Sequence, residues 1–234
     1  MKGPSAARQQ QIARWLLLVS LGLGLLGAVL PHAPPLLAGL SSDLLALGAV
    51  LALALLLGLP LGAVAGSGPR WVDVTLAFTT DWIAEVPVVL LLAFLRPAGV
   101  SAFGGLVLLG VLRALEVGWV VRSALLRAAV VDTSWAARSL GYMPLKVFLN
   151  RRLPAAARPA LAHLALTPVW TFVLDSVGSA AGLGAASSER SLGALVARPG
   201  TSLATSGVAI FAVVSLTWAL HRWGQQYGLR LARK

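Results

Sequence analysis

Long apolar runs, separated by short polar segments, dominate the chain. A transmembrane helix needs about 20 consecutive, largely apolar residues to cross the hydrocarbon core of a bilayer. Six segments meet this length, and the third and fourth also carry charged residues: 12–31, 43–66, 74–95, 99–121, 157–180 and 203–223. The pattern predicts an all-α fold, a polytopic membrane helix bundle of about six spans that forms one domain over residues 1–234.

The composition agrees with a membrane protein. The 234 residues are 58% hydrophobic and 12% charged, and the mean hydropathy is +0.83. A soluble domain carries about 25% charged residues. The absence of cysteine excludes disulfides and thiolate metal sites, and three scattered histidines argue against a metal centre. Residues 1–33 resemble a secretory signal, but the apolar runs that follow favour an uncleaved first membrane helix.

The basic residues set the orientation of the predicted bundle. The net charge is +11, which in a soluble protein would suggest nucleic acid; here we interpret it as topology and expect no nucleic-acid partner. With six spans, fifteen of the 19 basic residues fall on the side of both termini, whereas Arg96, Arg190 and Arg198 fall on the other and Arg113 within a span. Basic loops stay in the cytoplasm and favour anionic lipid. Both termini are therefore predicted to be cytoplasmic, as is the long connection 122–156.

Within that connection, residues 132–154 have the pattern of two short helices with a hinge. The sequence "DTS" at 132–134 offers N-caps for a first helix, and Gly141 suits the position after it, where φ is often positive. Pro144 suits the first turn of a second helix, which Pro154 is expected to end or follow. The segment is thus predicted to be a capped cytoplasmic helix pair.

The second of these helices is amphipathic. Leu145, Phe148 and Leu149 fall on one side at the spacing i, i+3, i+4, and Lys146 and Arg151 face elsewhere. Such an apolar face fits the groove of a partner protein. An amphipathic helix lying on the lipid surface has the same pattern, so the spacing alone leaves both interpretations open.

The same segment resembles the "EAA" loop of ABC importer permeases, in the dipeptide, oligopeptide and nickel branch. The family pattern is A-A-R-x-L-G, then twelve residues, then proline. The matching residues are Ala136, Ala137, Arg138, Leu140, Gly141, Leu153 and Pro154. Phe148 and Arg151 stand where this branch usually has an apolar and a basic residue.

Two further stretches carry the resemblance, which covers about residues 55–200. Residues 58–95 contain G-x-P-L-G-x-x-A-G, then W-V-D, then an aspartate six residues before a proline. Residues 175–195 resemble the family's E-x-S-L-S-F-L-G-L-G segment and the S-W-G that follows it. Asp175 occupies the acidic position there.

The resemblance implies a role in transport. In the family this loop is a coupling helix that sits in a groove of the ATP-binding subunit, and Leu145 and Phe148 belong to the implied contact. The expected assembly has a second permease subunit, paired as a heterodimer, two ATP-binding subunits and an extracytoplasmic substrate-binding protein, in a bacterial inner membrane. The chain lacks the phosphate-binding loop G-x-x-x-x-G-K-S/T, so we expect no enzyme activity and no cofactor of its own, with ATP and Mg²⁺ bound by the partner.

The chain departs from the family in three places. Trp135 replaces the usual glutamate, Thr79 lies near where many members have an arginine, and the polar segment that many relatives carry before the second span is missing. Trp135 and the missing segment motivate an alternative, a structural or regulatory membrane subunit derived from such a permease and without its own transport path.

Charged residues within or near the predicted spans form a second candidate site. These residues are Asp81, Glu85, Arg113, Glu116 and Asp175. A charge in the membrane is costly, so each is expected to face another helix, a water-filled path or an opposite charge. Arg113 and Glu116 are three residues apart and could pair, and the carboxylates of Asp81 and Glu85 could meet Arg113. The pattern is compatible with two alternatives: the charges line a translocation path, or they form an ion network that only fixes the packing of the helices.

Overall fold

The structure is a computed structural model that describes residues 6–30, 32, 34–95, 101–129, 139–141, 143–180 and 191–232. These residues form helices joined by turns, with no strand among them. The helices are α1 Ala6–Val29, α2 Pro35–Ser67, α3 Arg70–Glu85, α4 Val88–Leu95, α5 Ala102–Ala129, α6 Pro144–Val147, α7 Leu153–Leu164, α8 Thr167–Ala180, α9 Leu192–Ala197 and α10 Leu203–Ala232. A π-helical turn, Phe148–Arg152, joins α6 to α7. The all-α prediction is confirmed for the described part of the chain.

Four of the described helices, α1, α2, α5 and α10, are long and apolar enough to cross a membrane. A fifth span results if the helices on either side of residues 165–166 are counted together, although they are bent by 41°. The bend divides the predicted span 157–180. Pro168 accounts for the division, because it lacks an N–H and disfavours helical backbone at the residue before it. The predicted span 74–95 falls on α3 and α4, which are separated by Val86 and Pro87.

Helices α2 and α5 pack at close range through a glycine stripe on α2. A Cβ atom on Gly58 would lie 2.5 Å from the carbonyl oxygen of Ala114, and one on Gly62 would lie 2.5 Å from that of Gly118. Gly66 continues the stripe one turn further on. Small residues at this spacing let membrane helices approach backbone to backbone, so dispersion contacts stabilise the pair.

The register of these contacts shows that α2 and α5 run parallel. Leu53 of α2 packs on Gly110, and Gly66, further along α2, packs on Leu125 of α5. Between Leu53 and Gly66 an α-helix rises about 20 Å. The connection that contains α3 and α4 therefore returns over at least this distance before α5 begins.

The two larger apolar clusters among the described residues hold the bundle together. One lies at the C-terminal end of α5 and includes Leu125, Ala128 and Ala156 of α7. The other joins α2, α8, α9 and α10 and is made of Leu40, Leu47, Phe172, Leu192, Leu195, Ala209 and Leu216. The described helices thus pack into a bundle, with one cluster centred on α5 and α7 and the other on α2, α8, α9 and α10.

Candidate functional site

Of the predicted coupling segment, residues 139–141 and 143–154 are described. Ala136, Ala137 and Arg138 lie outside the described residues, as does most of the predicted first helix of the pair. Gly141 has φ +78°, which confirms the predicted positive φ. No atom would lie within 4 Å of a Cβ built there, so backbone conformation and not crowding restricts this position.

A helix starts where the sequence predicts it and continues further than expected. Pro144 is at the first helical position after Met143, whose carbonyl oxygen accepts from Val147 N–H at 3.1 Å. The expectation that Pro154 ends or follows this helix is wrong, since Pro154 is the second residue of α7. The π turn explains this, because Leu153 N–H bonds to Phe148 O five residues back. The wider turn accommodates the missing N–H of Pro154.

Apolar side chains are exposed around this helix start. The exposed fractions are 76% for Leu140, 76% for Met143, 68% for Leu145 and 49% for Leu149. We call these four residues the exposed apolar face. A group of this kind beside basic residues is typical of a surface that another protein or a lipid layer covers.

Phe148 does not belong to this face. The structure divides the predicted set, leaving Leu145 and Leu149 exposed while Phe148 packs against the cluster at the end of α5. Val147, next to it, is only 2% exposed. Phe148 and Val147 therefore attach the segment to the bundle, and Leu153 and Pro154 continue it as exposed residues at the start of α7.

An ion pair stabilises the same end of α5. The Nε–H of Arg122 donates to Oδ1 of Asp73 near the start of α3, and the guanidinium lies 5.2 Å from the centre of the Trp119 ring. The hydrogen bond from Arg122 lowers the pKa of the Asp73 carboxyl, which precedes the predicted third span. The W-V-D motif, which contains Asp73, is recognisable in the sequence, but nothing in the sequence indicates that its partner is Arg122, 49 residues further on.

The intramembrane charges do not form one network. Arg113 and Glu116 form the predicted ion pair within α5. Asp81 and Glu85 are exposed on α3 and take part in neither of the two ion pairs found among the described residues. The hypothesis that both carboxylates meet Arg113 therefore finds no support in these contacts.

Asp175 lies elsewhere, in a buried interface of α8. It is 5% exposed, on a helix that packs against α2 and α9. Asp43 is 1% exposed, and its Oδ2 accepts from Leu192 N–H at 3.0 Å. Sequence reasoning missed Asp43, because an aspartate at the start of an apolar run is typical of a membrane interface. The apolar residues on both sides of it were the available signal.

Ser191 completes the contact of α9 with the bundle. Its Oγ accepts from Ala194 N–H at 3.0 Å, which caps the helix, and Gly193 fits against the backbone of Ser176 without room for a side chain. Among the described residues, no three His, Cys, Asp or Glu side chains come close enough together to hold a metal ion. Comparison with known protein families and with curated proteins gives no match for this chain.

Proposed function

We propose that this chain is the membrane-spanning permease subunit of an ATP-driven ABC importer in a bacterial inner membrane. Peptides, nickel chelates or related small solutes are its substrate class. The chain itself hydrolyses nothing; ATP and Mg²⁺ are bound by a partner subunit. The three family-like motifs in their expected order support this assignment.

The observation that carries the proposal is the exposed apolar face and its attachment to the bundle. Leu145 and Leu149 are exposed, whereas Phe148 packs against the apolar cluster at the end of α5. A surface built this way can bind a partner on one side and transmit force to the spans on the other. ATP-driven motion of a partner would thereby reach α5, and through its glycine contacts α2.

Six spans with both termini in the cytoplasm fit this proposal. On this proposal α3 and α4 form a third span broken at Pro87, which would return the chain across the bundle between the parallel helices α2 and α5. The bent pair of α7 and α8 then forms the fifth span. Discontinuous helices are common in transporters, where they line the substrate path.

The exposed face of α3 supports a second permease subunit. Phe78 and Trp82 are 63% and 64% exposed and their rings are in contact, and the Asp81 and Glu85 carboxylates are also exposed. A carboxylate facing lipid is costly, so a protein surface or a water-filled path is the more favourable neighbour. A second permease supplies both, with the path between the two subunits.

Purification of the complex in mild detergent tests the proposal. We expect an ATP-binding subunit with a phosphate-binding loop, and a second permease, to co-purify with the chain. The reconstituted complex should hydrolyse ATP faster when substrate and its binding protein are added. A complex with these subunits but no stimulated hydrolysis would favour the alternative, a regulatory subunit. Absence of any ATP-binding subunit would contradict the permease assignment.

A further inference from the structure

A groove lies between α1, α2 and α10. Its volume is about 490 Å³, which is within the range of sites that bind small molecules. Leucines from all three helices line it, together with Arg14 of α1 and Trp223 of α10. The groove is therefore apolar over most of its surface and carries one cationic side chain.

The surroundings of this groove in a bilayer are lipid acyl chains. Each of α1, α2 and α10 is long and apolar enough to cross a membrane. Leu18 and Leu21 are 60% and 51% exposed, so the groove is open along α1. Apolar contact alone does not distinguish one lipid from another, because acyl chains are as apolar as leucine. Selectivity for an occupant must therefore come from the cationic side chain.

The position of Arg14 along the bundle follows from the packing of α1 on α2. Gly24 faces Leu44 and Gly27 faces Leu37, so the two helices are antiparallel. Arg14 precedes Gly24 by ten residues, which corresponds to about 15 Å along the helix. Arg14 therefore lies beside a part of α2 well beyond Leu44.

Two tryptophans lie at the same end of the groove. Trp223 lines a neighbouring cavity together with Leu51 and Leu55, which belong to that later part of α2. Trp15 follows Arg14 directly and is 61% exposed. Tryptophan is enriched at the level of the lipid headgroups. The cationic end of the groove is thus at headgroup level, and its leucines extend toward the hydrocarbon.

The sequence around this end of the groove is basic. Residues 1–42 and 190–234 contain no aspartate or glutamate, whereas α1 carries Arg8 and Arg14, and α10 carries Arg222 and Arg230. Arg14 also interacts within the protein. Its side chain is exposed and its guanidinium has five N–H donors, so this interaction does not prevent it from binding a headgroup as well. The end of the groove is therefore complementary to a negative charge.

We propose that this groove binds an anionic phospholipid. One acyl chain lies along the leucines between α1, α2 and α10, and the anionic headgroup lies at Arg14, beside Trp15 and Trp223. Basic pockets between membrane helices bind anionic headgroups, and each lysine or arginine near the surface strengthens the attraction several-fold. The site is separate from the exposed apolar face that carries the permease proposal.

Native mass spectrometry of the purified full-length chain in detergent tests the headgroup selectivity. The probes are phosphatidylglycerol and phosphatidylcholine with the same acyl chains. We expect the chain to retain one phosphatidylglycerol and to bind phosphatidylcholine about five-fold more weakly, the effect of one basic residue. Arg14→Gln should lose this preference and Arg14→Lys should keep it. Arg8→Gln removes the same charge from α1 outside the groove and is the matched control, which should also keep the preference.

Filling the groove tests the place of the acyl chain. Leu18→Trp puts a large side chain into the groove and should abolish retention of phosphatidylglycerol. Val19→Trp, at the next position, is the matched control, because Val19 is 53% exposed and is not among the residues that line the groove. This variant should retain the lipid as the wild type does. Both positions are exposed, so both variants should fold.

Four results would overturn the assignment. They are equal retention of the two lipids by the wild type, a preference that survives Arg14→Gln, equal retention by Leu18→Trp and Val19→Trp, and a protein adduct in place of a lipid adduct from a photoactivatable reagent on Leu18→Cys in native membranes. The last result would assign the groove to a partner protein. None of these measurements involves ATP or transport, so the permease assignment can fail independently.

Discussion

The two ends of the α2–α5 region differ in which side chains they expose and which they bury. Around Gly141 and α6, apolar side chains are exposed and the nearby charge of Arg122 is paired with Asp73. Around Asp43 and α9, carboxylates are buried and apolar side chains such as Leu192 cover them. The first arrangement is typical of a surface completed by another protein, whereas the second is a polar contact closed inside the bundle. The two ends therefore differ in what they expose and in what they bury.

Removing the exposed apolar face should have the largest effect. Leu145→Asp combined with Leu149→Asp should weaken binding of the ATP-binding subunit by about 30-fold, the effect of losing an interface hot spot. Titration of the purified subunit onto the chain measures this. Asn150→Asp adds charge to an exposed position of the same turn and is the control. Equal affinity for the double variant and the control would contradict a docking role for this face.

Phe148→Asp is a less suitable test of docking, because Phe148 packs in the bundle. We expect this substitution to lower the stability of the fold more than it lowers the affinity for a partner. A Phe148→Asp chain with native unfolding temperature and impaired binding would show that Phe148 contacts the partner directly.

Crowding the glycine stripe should destabilise the bundle without altering either end. Gly62→Ala places a Cβ 2.5 Å from the Gly118 carbonyl oxygen, so the backbones must separate, at a cost of about 1–3 kcal/mol. Gly48→Ala, on the same helix, meets no atom within 4 Å and should be neutral or slightly stabilising. Unfolding in detergent, followed by circular dichroism, compares the two. Equal stability of the variants would contradict the close α2–α5 contact.

Breaking the Arg113–Glu116 ion pair within α5 should have a moderate effect on stability. Arg113→Ala leaves Glu116 without its partner and should lower the free energy of unfolding by about 1 kcal/mol, because Glu116 is partly open to its surroundings. The exchange Arg113→Glu with Glu116→Arg should restore part of this loss. A double-mutant cycle with no coupling energy would mean that the pair contributes nothing.

The smallest expected effect is the pH dependence of the Asp73–Arg122 pair. The pKa of Asp73 is lower in the folded protein than in the unfolded chain, where it is about 3.9. The ion pair therefore stabilises the fold fully above the unfolded pKa, and this stabilisation disappears as the pH falls through the lower folded pKa. Asp73→Asn should remove this part of the acid sensitivity. Unfolding temperatures of the two proteins, measured from pH 6 downward (about two units above the unfolded value), should converge in acid. A constant difference would contradict the assignment.

The sequence predicted those features that depend on local composition. Apolar length predicted α1, α2, α5 and α10, and the hinge at Gly141 and the helix start at Pro144 followed from backbone preferences. The π turn before Pro154 and the division at Pro168 depend on how freed backbone groups are accommodated, which spacing does not specify. Pairing across the fold was also beyond the sequence. Arg122 with Asp73, and Leu192 N–H with Asp43, become neighbours only through helix packing.

Site-specific cross-linking from the exposed apolar face tests the central proposal most directly. Because the chain has no cysteine, Leu145→Cys can carry a photoactivatable reagent in the membranes of the source organism. Leu203→Cys, exposed at the start of α10, is the control position. The account predicts an adduct from position 145, absent from position 203, with a protein that contains the loop G-x-x-x-x-G-K-S/T. Adducts with lipid alone, or with a protein lacking that loop, would contradict it.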